Sequence, residues 1–219
     1  MRCRGYVASC LFVVVLLRFP LLAQQPKQST VPGKSSSNAR AATLDTGTIS
    51  GEAYRNTSLG FTYRIPFGWV DRTKEMSEDS NLDSNATKKS ILLLAVFERP
   101  PEATGDSVNS AVVIAAEPAA SYPGLENAGQ YFGPLTELTK SKGMKVVNEP
   151  YSYSVGARQL VRADFNKPLG NLTMHQSTLV MMEKGYVVSF TFIGGSEDEV
   201  DGLAEGVSFG RKEAPAPHK

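Results

Sequence analysis

Acid–base chemistry in this chain would rest on one residue, His175, because the other histidine, His218, sits at the extreme end of the 219-residue sequence. A serine nucleophile would have to use His175, yet no Gly-x-Ser-x-Gly elbow accompanies it and no serine opens a Ser-x-x-Lys motif. Zinc catalysis needs several His or Cys ligands to converge. The only cysteines, Cys3 and Cys10, lie in the first ten residues. His175 alternates with Thr173, Ser177 and Leu179, while Leu172, Met174 and Val180 point the other way. That pattern predicts a hydrogen-bonded histidine on a half-polar sheet face.

Carboxylates cluster in three places. Glu197, Asp198 and Glu199 follow Ser196, a capping box in which the hydroxyl serves free amides and Glu199 reaches back. Arg158, Arg162 and Asp164 alternate on one strand face, which predicts a solvated cross-strand charge network. Together with His175 they form the candidate binding surface. Asp79, Asn81 and Asp83 alternate like the opening of a calcium loop. However, Ser84 and Ser90 stand where the turn glycine and the bidentate Glu belong. The stretch Asp79–Asn85 therefore reads as a flexible polar loop, with ion binding as the alternative. Phosphate-binding glycine loops are missing, so no cofactor is expected. Asn56, Asn85 and Asn171 open glycosylation sequons, and Tyr122, Tyr131, Tyr151 and Tyr153 are core or groove aromatics.

The ends of the chain set where this chemistry would act. Arg2 and Arg4, the apolar run Tyr6–Leu17 and the small residue Ala23 read as a secretory signal over 1–23. The apolar run is shorter than the ~20 residues a spanning helix needs, so a retained membrane anchor is the lesser reading. Residues 24–47 are rich in Gln, Ser, Pro and Lys and read as a disordered tether. A single domain spans 48–211, and 212–219 form a disordered tail. Both cysteines fall in the signal, which excludes disulfides and cysteine nucleophiles from the remainder. Loss of Arg2, Arg4 and Arg18 leaves 20 basic against 22 acidic residues, a balance that argues against a nucleic-acid partner.

Most elements of the domain read as strands. Ile49–Tyr54 and Phe61–Ile65 form an opening pair, and Pro66 ends the latter as an edge strand. Gly68 permits the bend that turns Trp69 inward, against the strand carrying Phe190 and Phe192. Ile91–Phe97 and Ala111–Ala116 are continuous apolar runs, suited to strands covered on both faces. Lys145–Ser154 with Ala157–Phe165, and Leu172–Met182 with Tyr186–Ile193, read as hairpins. Two helices are expected. One runs over 125–141 with Pro134 in its middle; the other follows Ser196, with Val200, Leu203 and Val207 as its apolar stripe.

The order of these elements resembles the PsbP-like family. The matching residues are Gly60-Phe61-Thr62-Tyr63-Arg64-Ile65-Pro66-Phe67-Gly68-Trp69, Arg158-Gln159-Leu160-Val161-Arg162-Ala163-Asp164-Phe165 and Gly185-Tyr186-Val187-Val188-Ser189-Phe190-Thr191-Phe192, with a closing amphipathic helix. The resemblance implies an α+β fold, an antiparallel sheet flanked by helices in an α/β/α sandwich. It also implies a habit of binding proteins and supplies no catalytic residue. The expected function is an exported, periplasmic or extracellular accessory domain that docks on a protein or envelope component. The alternative is an exported hydrolase or calcium-binding protein using His175 or Asp79–Asn85.

Overall fold

The computed structural model describes residues 44–82, 90–103 and 105–210. The proposed signal, most of the tether, the tail, Asp83 and Asn85 lie outside these. Residues just before 48 already contact the domain. Leu44 packs on the main core, and the carbonyls of Asp45 and Thr46 accept hydrogen bonds from Asn56 and Tyr54.

The opening segment is two short strands, β1 (Thr48–Ser50) and β2 (Ala53–Asn56), where one strand was expected. Gly51, with φ of +58°, turns the chain between them. Next comes β3 (Phe61–Arg64), then β4 (Val70–Asp71) and a helix, α1 (Thr73–Leu82). Asp71 starts α1, its Oδ1 accepting from the Thr73 amide at 2.9 Å and the Thr73 hydroxyl at 2.6 Å. The expected loop at Asp79–Leu82 is therefore the last turn of a helix.

The apolar runs form β5 (Ile91–Phe97) and β6 (Ala111–Pro118). A 3₁₀ turn at Ala128–Tyr131, capped reciprocally by Asn127 and Gln130, leads into α2 (Phe132–Ser141). Pro134 thus lies in the first turn of α2, where it has no helical hydrogen bond to lose. That is why the predicted helix divides at Tyr131 and not at the proline. The long strands β7 (Lys145–Val155), β8 (Arg158–Leu169), β9 (Leu172–Glu183) and β10 (Tyr186–Gly194) follow as successive hairpins. Lys184 and Gly185, both at positive φ, form the two-residue turn before β10.

The closing helix α3 spans Glu197–Ala204, shorter than expected. Val207 and Phe209 leave it for a strand, β11 (Val207–Phe209), paired with β3. Ser196 caps α3 through the Glu199 amide at 3.2 Å. Glu199 reaches back one residue further than a capping box requires, to the Gly195 amide at 2.8 Å, and also takes the Ser110 hydroxyl.

All strand pairing is antiparallel and makes two sheets, β1-β2-β3-β11 and β4-β5-β6-β10-β9-β8-β7. The small sheet and α3 cover one face of the large sheet, burying Tyr54, Phe61 and Tyr63 with Leu179, Phe190 and Phe192. On the other face Phe132 and Tyr131 pack on Phe165, Val180 and Val187. Cover on both faces explains the continuous apolar runs of β5 and β6. The architecture is antiparallel and sheet-rich, with few helices, more so than a sheet simply flanked by helices.

Two expectations for the opening motif are corrected. β3 is an inner strand, flanked by β2 and β11, and Pro66 lies beyond its end. The aromatics against Phe190 and Phe192 are Phe61, edge-on at 4.9 Å, and Tyr63 at 6.2 Å. Trp69 is half-buried at the margin of that core. The bend itself is as expected. The Trp69 amide donates to the Pro66 carbonyl at 3.3 Å, with Gly68 at φ of +80°, a conformation costly for any residue with a Cβ.

Candidate functional site

Alternation along β8 does place Arg158, Arg162 and Asp164 on one face, and antiparallel register sets His175 of β9 on the same face. That face lies under α3, and its charges answer one another. Arg162 is only 8% exposed, where a solvated cation was expected. Its Nε donates to Asp164 at 2.8 Å and its Nη2 to Asp201 of α3 at 2.5 Å, while its guanidinium lies 5.2 Å from the Tyr153 ring centre. Asp164 also accepts from the Asn148 amide and the Tyr151 hydroxyl, both at 3.0 Å.

Burial works to raise the Asp164 carboxyl, but hydrogen bonds led by that of Arg162 outweigh it and hold the group below its usual range. Burial likewise opposes the Arg162 charge, and bonds to Asp164 and Asp201 more than restore it. The Tyr151 phenol is pushed up to about 12 by burial and then by Asp164. This is a mutually satisfied clamp joining α3 to the sheet. Arg158 sits apart from it, paired with Glu183 and stacked 5.5 Å from the centre of Phe209.

His175 lies at the other end of the face, its Nδ1 3.8 Å from a Glu197 carboxylate oxygen. Asp79 and Asn81 fall in α1, and Asp83 lies outside the described residues. No group of three or more His, Cys, Asp or Glu among the described residues converges as a metal site.

Asn56 is unsuited to carry a glycan. It is fully buried, its amide nitrogen donates to the Asp45 carbonyl at 2.9 Å, and its oxygen accepts from the Leu59 amide at 2.8 Å. Asn171 is exposed in the β8–β9 turn. Tyr122 and Tyr131 share Glu117 and meet edge-on at 5.1 Å, and burial pushes both phenols up.

The residue that sequence reasoning passed over is Phe67. At the tip of the Pro66–Trp69 turn it is 87% exposed, the most exposed of the large apolar side chains among the described residues, and Ile49 is 42% exposed. A cleft opens on each side of this turn. One, about 310 Å³, runs toward α3 and is lined by Glu52, Arg64, Phe67 and Leu203. The other, about 320 Å³, is lined by Ile49, Glu52, Pro66, Phe67, Trp69 and Asp71. The available signal was the Pro-Phe-Gly-Trp order itself, because glycine in the third position supplies the positive φ of a tight turn and so puts Phe67 at its tip.

No helix among the described residues is long and apolar enough to cross a membrane. No protein-family model and no curated protein matches the chain. Similar solved structures include cyanobacterial PsbP from Synechocystis sp., at 14% identity and a TM-score of 0.47, covering 75% of this chain and 98% of that one. LpqN, involved in cell envelope biogenesis of Mycobacterium tuberculosis, aligns at 11% identity and 0.35, covering 68% and 82%. A Pseudomonas aeruginosa protein of unknown function aligns at 12% and 0.35, covering 72% and 92%. Likenesses this distant leave the function to be argued from the residues.

Proposed function

We propose that this chain is an exported, non-catalytic accessory domain of the PsbP-like type that docks on a protein partner in the periplasm or outside the cell. Export rests on the leader-like residues 1–23 and the cysteine-free remainder. The PsbP-like reading rests on the aromatic strand motifs and their order in the sequence.

The observation that carries the docking role is Phe67. A phenylalanine held almost wholly in water by a defined turn, with Ile49 beside it, has the form of an anchor that a partner buries. The charged face around Arg162 suits this role less. Its groups are already paired, and drawing Arg162 away would leave Asp164 without its cation.

Photo-crosslinking in the native host tests this, with p-benzoylphenylalanine placed at position 67 and, as a control, at the exposed Leu169. The expected result is one reproducible envelope-protein adduct from position 67 and none of that adduct from position 169. Identical adducts from both positions, or none from 67, would overturn docking through this turn. A hydrolase activity abolished by His175→Ala in a folded protein would overturn the non-catalytic reading.

A further inference from the structure

The two clefts beside the Phe67 turn differ in charge. Toward α3, Arg64 stands with Glu52. On the Trp69 side the lining carries two carboxylates, Glu52 and Asp71, and no cation. The Glu52 side chain forms no hydrogen bond or ion pair among the described residues. Asp71 directs Oδ1 to Thr73, and its Oδ2 takes part in no hydrogen bond or ion pair among the described residues. The remaining walls include Ile49, Pro66 and two aromatic residues, Phe67 and Trp69.

From this asymmetry we infer that the Trp69-side cleft receives a lysine or arginine side chain from an extended, partly apolar segment of a partner protein. The inference rests on the docking reading above and supplies the chemistry of its partner. Aromatic faces attract a cation through their quadrupole, tryptophan most strongly. Two carboxylates with no internal cation complete the complementarity. A Lys or Arg stem carries enough methylenes to lie along Ile49 and Pro66 while its charged end stays at the acidic rim. The flanking apolar residues of the segment cover Phe67, which no element of the fold covers. The same two carboxylates repel phosphate headgroups, so an anionic membrane surface is the wrong partner for this cleft.

Trp69 is the only tryptophan in the chain, so its fluorescence reports directly on the site. The full chain is titrated with a blocked seven-residue peptide of alternating leucine and lysine. Two control peptides carry glutamate or norleucine in place of lysine, and phosphatidylglycerol vesicles are a further probe. The inference expects a saturable Trp69 response to the lysine peptide alone. Phe67→Ser should weaken it by about tenfold or more, and Glu52→Gln by up to about fivefold, the range of an exposed ion pair.

An equal response to the norleucine or glutamate peptide overturns the cationic requirement. A response to vesicles in place of the peptide overturns the protein partner, and no response to the lysine peptide overturns the inference outright. If Phe67 still crosslinks to one envelope protein while Glu52→Gln changes nothing, docking stands and the cationic chemistry fails.

Discussion

Replacing Arg162 with methionine keeps most of the apolar stem and removes the guanidinium, so the cost can be assigned partner by partner. Asp201 has a side chain 55% exposed, and such a pair contributes about 0–1 kcal/mol. The Tyr153 ring contact adds about 0.5–1 kcal/mol. Asp164 dominates, because its side chain is 13% exposed and its cation is gone, which costs about 3–5 kcal/mol. Together these remove about 3.5–7 kcal/mol, a large share of the about 5–15 kcal/mol a domain has in total. The melting temperature should fall by about 7–28 °C.

The sign with pH follows from Asp164. Its folded carboxyl lies below the usual value, so its contribution is present above the unfolded value near about 4 and is lost as pH falls through the folded one. Without Arg162, burial dominates and protonation relieves the site. The deficit relative to wild type should therefore be largest near about pH 7 and shrink toward about pH 4. Adding Asp164→Asn, which keeps the shape and removes the charge, should restore more than half the loss at neutral pH. Urea unfolding of the three proteins at both pH values measures this. A loss below about 1 kcal/mol, or no restoration by Asp164→Asn, would refute the account of the clamp.

Gly206→Ala places a Cβ 2.7 Å from the buried Tyr63 ring and 3.1 Å from two carbonyl oxygens. It should cost about 1–3 kcal/mol in chemical unfolding. Asn56→Ala strands the Leu59 amide and should cost about 1–3 kcal/mol, and mass spectrometry of wild type from a glycosylating host should find position 56 bare. The ion contact that His175→Ala removes is long and reaches a Glu197 side chain that is 71% exposed, so calorimetry should show a melting shift below about 4 °C. Phe67→Ser, altering a side chain in water, should leave the melting temperature within about 2 °C of wild type.

Features specified by neighbouring residues were legible in the sequence. The apolar runs of β5 and β6, the Lys184-Gly185 turn and the Ser196 cap were all readable locally. So was the shared face of Arg158, Arg162 and Asp164, which period-two alternation along one strand fixes, whereas His175 joins it through the β8–β9 register. What α3 does to that face was not, because Asp201 reaches Arg162 only when the helix crosses the sheet. Helix α1 offers one large apolar residue, Met76, before its last position, too little for a stripe. Its signal was the Asp71–Thr73 start, which a search for apolar periodicity passes over. Val207 and Phe209 sit where a helix stripe would continue, and only their distant partner β3 makes them a strand. Trp69 was expected deeper than it lies because size suggests burial, and Phe67 was passed over although the turn holds it outward.

The pairing of β11 with β3 joins Ser208 to Thr62 across 146 positions of sequence. During synthesis, the small sheet therefore cannot close until Val207–Phe209 has emerged. The successive hairpins of β7 to β10 need only their immediate neighbours and can form early, with the large sheet as template. Until β11 arrives, Phe61 and Tyr63 have no completed sheet to hold them over Phe190 and Phe192, and both apolar surfaces face water. A chain shortened before Val207 should consequently persist as an open, chaperone-dependent species even though most of its hydrogen-bond ladder is intact.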